Sequence, residues 1–116
     1  MQLITKDILT KLKANGERSD RGEDTSKLPP VLKLFTPWMG ATWLIVECQP
    51  DFPDRLFGLC DLGHGYPELG YVSLSELQDV TGPGGIKIER DRHFDPRGKT
   101  LEQYADEARA LRRIAA

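Results

Sequence analysis

Apolar positions recur at helical spacing near both ends of the chain and at strand spacing between them. Ile8, Leu9 and Leu12 form one stripe behind Thr5, a candidate N-cap, with Asp7 in the first turn and Ile4 and Leu9 spaced as a hydrophobic staple. The pattern predicts a helix to about Ala14, basic at Lys11 and Lys13 and stopped by Asn15-Gly16. Residues 17–27 hold no large apolar side chain, so a mobile loop is expected over residues 15–30.

After Leu28-Pro29-Pro30 the period shortens. Val31–Thr36 reads as a first strand, and Ala41–Cys48 as a central strand apolar on both faces, with Trp43 and Ile45 on one and Leu44 and Val46 on the other. Simple alternation puts Glu47 with Trp43, at the rim or paired to an arginine. Arg55–Asp61 supplies a third strand, with Phe57 and Leu59 on one face and Gly58 where little side-chain room is expected. The glycine- and proline-punctuated segment Leu62–Pro67 reads as a loop, and Leu69–Val72 as a short fourth strand.

Ser73-Leu74-Ser75-Glu76 has capping-box spacing, and Leu74, Leu77 and Val80 are placed to pack a short helix on the sheet. Thr81-Gly82-Pro83-Gly84-Gly85 then stops that helix, and Ile86–Arg90 continues as an extended segment. Thr100 and Gln103 repeat the capping spacing before an amphipathic helix carrying Leu101, Tyr104, Ala105, Ala108 and Leu111. Its arginines, Arg109, Arg112 and Arg113, lie late, where they complement the helix dipole. The order predicts one α+β domain over residues 1–116. It would be a small, mostly antiparallel sheet of four to five strands packed by an N-terminal, a short central and a C-terminal helix.

Composition narrows the function more than the fold. The 116 residues suit a single modest core, and 39% hydrophobic with 29% charged residues is ordinary for a globular chain. No apolar run approaches the ~20 residues of a membrane span and no signal peptide is visible, so a cytoplasmic protein without a membrane partner is expected. The net charge of −2 divides into +1 over residues 1–27, −5 over 28–85 and +2 over 86–116. General attraction to nucleic acid is therefore disfavoured, although Arg109, Arg112 and Arg113 could form a local patch. Cys48 and Cys60 sit on the two arms of a hairpin, with Cys48 facing a residue near Leu56. Four further residues at roughly 3.3 Å each put Cys60 beyond disulfide reach, and both read as free thiols.

Four groups of residues carry candidate chemistry. Trp38 and Met39, on the loop after Phe35-Thr36-Pro37, either mark a partner surface with His64 and Tyr66 or close one end of the core. In an extended Glu89–Phe94, Glu89, Asp91 and His93 share a face and could bind a divalent metal with His64 or Asp61 from a neighbouring loop. Structural roles compete with that reading: Arg90 paired with Glu47 or Glu68, and Ser73 with Glu76 as a cap. The glycines at 82, 84 and 85 close a helix and precede no Gly-Lys-Ser/Thr, which argues against a phosphate loop. No nucleophile-type turn is visible, and no cofactor is expected.

Leu3-Ile4-Thr5, Phe35-Thr36-Pro37, Thr42-Trp43, Phe57-Gly58-Leu59, Glu68-Leu69-Gly70-Tyr71, Ser73–Leu77, Gly82-Pro83-Gly84-Gly85 and Ile88–Asp91 followed by Phe94 occur in an order and spacing that resembles the domain of unknown function 2958 family. The resemblance covers about residues 2–104 and implies an accessory role on bacterial plasmids and other mobile elements, without an activity to transfer. The Trp38-Met39-Gly40 loop, the His64–Pro67 insertion and the arginine-rich end depart from that family's pattern. The expected function is a non-enzymatic protein-interaction or inhibitor module. A small metal-assisted hydrolase and a nucleic-acid-binding accessory protein are the alternatives.

Overall fold

The computed structural model describes residues 2–116. Five antiparallel strands, β1 (Leu32–Phe35), β2 (Thr42–Gln49), β3 (Phe52–Asp61), β4 (Glu68–Ser73) and β5 (Glu89–Arg90), form one sheet in the order β4-β3-β2-β1-β5. Helices α1 (Lys6–Asp20), α2 (Leu74–Asp79) and α3 (Leu101–Leu111) complete the α+β architecture.

The doubly apolar β2 divides two cores, as its pattern requires. Trp43, Ile45 and Cys48 pack with Leu3, Leu12, Leu32, Leu34, Leu56 and Leu77, the side covered by α1 and α2. Leu44 and Val46 pack with Leu59, Leu101, Tyr104, Ala105 and Ala108 under α3. Thr100 and Gln103 form the full reciprocal capping box of α3, an arrangement whose threonine contributes about 1 kcal/mol. Gly58 is where room is shortest, because a Cβ there would overlap the Leu44 carbonyl and the Ile45 Cα across the sheet. Cys48 pairs with Leu56 and Cys60 with Trp43, and both thiols are free. Burial raises both, Cys60 to about 11, which keeps them poor nucleophiles.

Several expectations need correction. The first helix runs through Asn15-Gly16 to Asp20, and a 3-10 turn at Thr25–Lys27 occupies much of the span expected to be a loop. Gly16 stays helical because it packs where a Cβ would overlap the Cys48 carbonyl oxygen. Asn15 turns its side chain to β2 and donates to the Val46 carbonyl at 2.8 Å. That carbonyl belongs to a β-bulge: Ile45 pairs with Gly58 and Glu47 with Phe57, so one residue of β2 is extra. Bulges re-aim side chains. Glu47 consequently shares the side of Phe57, away from Trp43, and is buried instead of rim-exposed.

Arg90 does not pair with Glu47 or Glu68. Its guanidinium donates to the Gln2 and Leu3 carbonyls at 2.7 and 2.9 Å, fastening the segment that enters α1. Ser73 caps α2 by accepting from the Glu76 amide, but Asp54 supplies the other half of the cap. It accepts from the Ser73 hydroxyl at 2.7 Å and from the Ser75 amide at 2.8 Å. Those bonds hold the Asp54 carboxyl below its ordinary range. Val80 and Leu111, expected in the core, are exposed because each lies at or just beyond the last turn of its helix.

Candidate functional site

The register places two connections at one end of the sheet. Phe35 pairs with Thr42 and Thr42 with Asp61, so residues 36–41 and 62–67 leave the sheet side by side, and Gly63 lies against the Gly40 backbone. Thr36, buried, closes the first loop by donating to the Met39 carbonyl at 2.9 Å and accepting from the Ala41 amide at 3.1 Å. Trp38 turns inward against the core and the Gly82 turn, where a Cβ on residue 82 would overlap its ring. Of the alternatives for Trp38, the structure places it as the closure of the core. Met39 remains 52% exposed, as does Leu62 in the adjoining loop.

Asp61 organises the second loop. It is 2% exposed, yet both carboxylate oxygens are used: one accepts from the Gly63 amide and the other from the Ile114 amide, each at 2.9 Å. The first bond is an Asx turn, whose signal is the Asp-x-Gly spacing of residues 61–63. The second brings the chain beyond α3 to the same end of the sheet. Arg112 adopts a left-handed conformation (φ 61°) at the C-cap, and Arg113 bonds back to the Ala108 carbonyl at 3.1 Å. A groove of about 340 Å³ results, lined by Gly65, Tyr66, Pro67, Glu68, Arg109 and Arg112. Tyr66 is 72% exposed beside these two arginines, and Arg109 also pairs with Asp106 at 3.1 Å.

Residues 3–115 match the family described as protein of unknown function (DUF2958). The chain belongs to the DUF2958 family. No curated protein and no solved structure matches this DUF2958 chain significantly.

The DUF2958 fold does not assemble the candidate metal residues. Glu89 and Arg90 lie on the edge strand β5, whereas His64 leads into β4 at the opposite edge; at ~4.8 Å per strand, three to four spacings intervene. Asp91 is engaged by Lys33 at 3.5 Å and by the His93 amide at 2.9 Å, while the side chains of Glu89, His93 and His64 face solvent. Among the described residues, no three His, Cys, Asp or Glu side chains stand together as a metal site. No helix among the described residues is long and apolar enough to cross a membrane.

The partner-binding candidates fare differently. His64 and Tyr66 share the loop that touches the Met39 loop, and Tyr66 is joined by Arg109 and Arg112, which sequence reasoning had set apart as a nucleic-acid patch. Glu68, expected to be structural, lines the same groove. Two elements carry no sequence signal for this assembly: Leu62, whose exposure depends on the loop path, and the Asp61–Ile114 bond, which spans 53 residues.

Proposed function

We propose that this DUF2958 chain is a non-enzymatic protein-interaction module that docks a partner on the loop end of its sheet. The observation that carries the reading is the groove in which Tyr66, largely exposed, stands beside Arg109 and Arg112, on a loop whose Gly63 lies against the loop that carries the exposed Met39. Exposed aromatic and arginine side chains on a rigid support are what protein interfaces use as anchors. The support here consists of hydrogen bonds already closed at Thr36 and Asp61. The complementary partner surface presents carboxylates beside an apolar patch. An accessory role on a mobile element, acting on a host or defence protein, rests on the family resemblance alone.

The test is capture from a bacterial lysate by the intact chain, compared with Met39→Ala/Tyr66→Ala and with Arg112→Glu. Both variants should lose the same captured protein while melting at the wild-type temperature. Unchanged capture by both would remove the loop end as the docking surface. Trp38→Ala is a poor probe, because the indole supports the Gly82 turn.

A second reading, nucleic-acid binding, is favoured by the same pairing of Tyr66 with two arginines, since a base stacks on an aromatic ring while arginine meets phosphate. Glu68 in the groove, Asp106 on Arg109 and the net charge of −2 weigh against it. Binding of a single-stranded oligonucleotide that falls steeply between 50 and 200 mM salt would favour that reading, and its absence at low salt would remove it.

A further inference from the structure

The two edges of the sheet are finished differently. At one edge β5 is two residues long and both are charged, Glu89 and Arg90, which blunts it against further pairing. At the other edge β4 is six residues long and runs in unbroken register with β3, from Cys60 opposite Glu68 to Arg55 opposite Ser73. It holds no lysine, proline or bulge, the devices that ordinarily protect an edge. Every second residue of such a strand turns its amide and carbonyl outward, and among the described residues no backbone hydrogen bond joins β4 to anything but β3. A Cβ placed on Gly70, in mid-strand, would meet nothing within 4 Å. Tyr71 is 58% exposed there, with its ring fixed between Phe57 at 5.0 Å and the Arg55 guanidinium at 4.1 Å.

We infer that the β4 edge pairs with the β4 edge of a second copy of this chain, antiparallel about a two-fold axis, so that the two sheets become one. The charges at the two ends of the strand select that occupant and that direction. Arg112 lines a groove with Glu68 at the start of β4, and Glu76 lines one with Tyr71 and Ser73 at its end. Both Arg112 and Glu76 are exposed, and neither forms an ion pair among the described residues. Antiparallel pairing sets the start of one strand beside the end of the other, which brings Arg112 of each copy toward Glu76 of its mate. Parallel pairing would set like beside like.

Two registers place the axis near the middle of the strand. With the axis at Gly70, Tyr71 meets Leu69 of the second copy; with the axis at Tyr71, the two rings meet. Either covers the exposed ring, and either leaves Glu68 within one residue of the second copy's Ser73 and away from its Glu68. A five-residue overlap spans about 17 Å, at the small end of specific interfaces, so the dimer is expected to dissociate in the micromolar range or above. The inference stands on the sheet edge and shares only Arg112 and Glu68 with the groove at the loop end.

The experiment is sedimentation equilibrium of the purified chain from micromolar to millimolar concentration, with amide hydrogen exchange followed by NMR over the same range. The mass is expected to rise from 13.1 kDa toward twice that value, while every second amide of β4 exchanges more slowly as concentration increases. Tyr71→Lys, which places a lysine on the edge, should abolish the dimer. Arg112→Glu and Glu76→Arg should each weaken it roughly tenfold, since symmetry applies each change twice, and the two together should restore it. A chain that stays monomeric at millimolar concentration overturns the inference without the need for any variant to fold. A dimer whose β4 amides exchange at a rate independent of concentration overturns it too, as does a double variant no tighter than the single ones. Protection of those amides only by a protein captured from lysate would assign the edge to a different chain and likewise overturn it. A monomeric chain that still captures its partner through Met39 and Tyr66 leaves the loop-end reading standing, so the two fail separately.

Discussion

The two ends of the sheet each bury a carboxylate, and they use it in opposite ways. At the loop end, Asp61 spends both oxygens on backbone amides, and the side chains left exposed around it are Met39, Leu62 and Tyr66. At the hairpin end, Glu47 lines a cavity while its Oε2 stays buried without a hydrogen-bond partner among the described residues. A buried carboxylate with satisfied oxygens is architecture; one with a free oxygen is a cost that the fold sustains. The contrast assigns rigidity to the end that presents a surface and unspent polarity to the end that encloses a space.

If Asp61 is the latch at the loop end, Asp61→Ala strands the buried Ile114 amide and releases the part-buried Gly63 amide, and should lower unfolding free energy by about 3 kcal/mol, measured by urea denaturation. A loss under ~1 kcal/mol would mean that the loop and the tail hold themselves. The hairpin end has its own tight contact. Gly16→Ala gains helix propensity, but its Cβ would meet the Cys48 carbonyl, and the clash should prevail with a net loss of about 2 kcal/mol in the same measurement.

Glu47→Gln is expected to show its effect in pH dependence. Its raised folded-state pKa means that the folded chain holds this proton more tightly than the unfolded one, whose carboxyl stays near 4.5. The stability Glu47 contributes is therefore full below that value and is lost as pH rises through the raised one. The difference between variant and wild type should move in the variant's favour above pH 4.5 and then flatten; a constant difference from pH 4 to 8 would contradict the burial argument. Tyr66→Ala should shift stability least, by under ~0.5 kcal/mol, since the side chain is mostly in solvent. A larger loss in the urea midpoint would make Tyr66 part of the fold instead of its presented surface.

The contrast between the ends was only partly legible in the sequence. Two-sided apolarity in Trp43–Val46 was enough to imply helices on both faces, and the threonine caps at Thr5 and Thr100 marked true helix starts. Gly16 misled because glycine after asparagine is ordinarily a stop; here its missing side chain serves a helix-to-strand contact that no local pattern encodes. The bulge was equally hidden, since one extra residue leaves no mark in composition, yet it decides which side Glu47 faces. Arg90 finds backbone carbonyls 87 and 88 residues away, where charge pairing had suggested a glutamate. The loop-end residues were visible as punctuation and exposed aromatics, but their meeting with Arg109 and Arg112 depends on the tail's return to Asp61.

That return has a kinetic consequence. Because Gly63 and Ile114 donate to the two oxygens of one carboxylate, the loop and the tail, far apart in the chain, are held by a single side chain. Removal of Asp61 is therefore expected to speed hydrogen exchange at both amides, the loop's and the tail's.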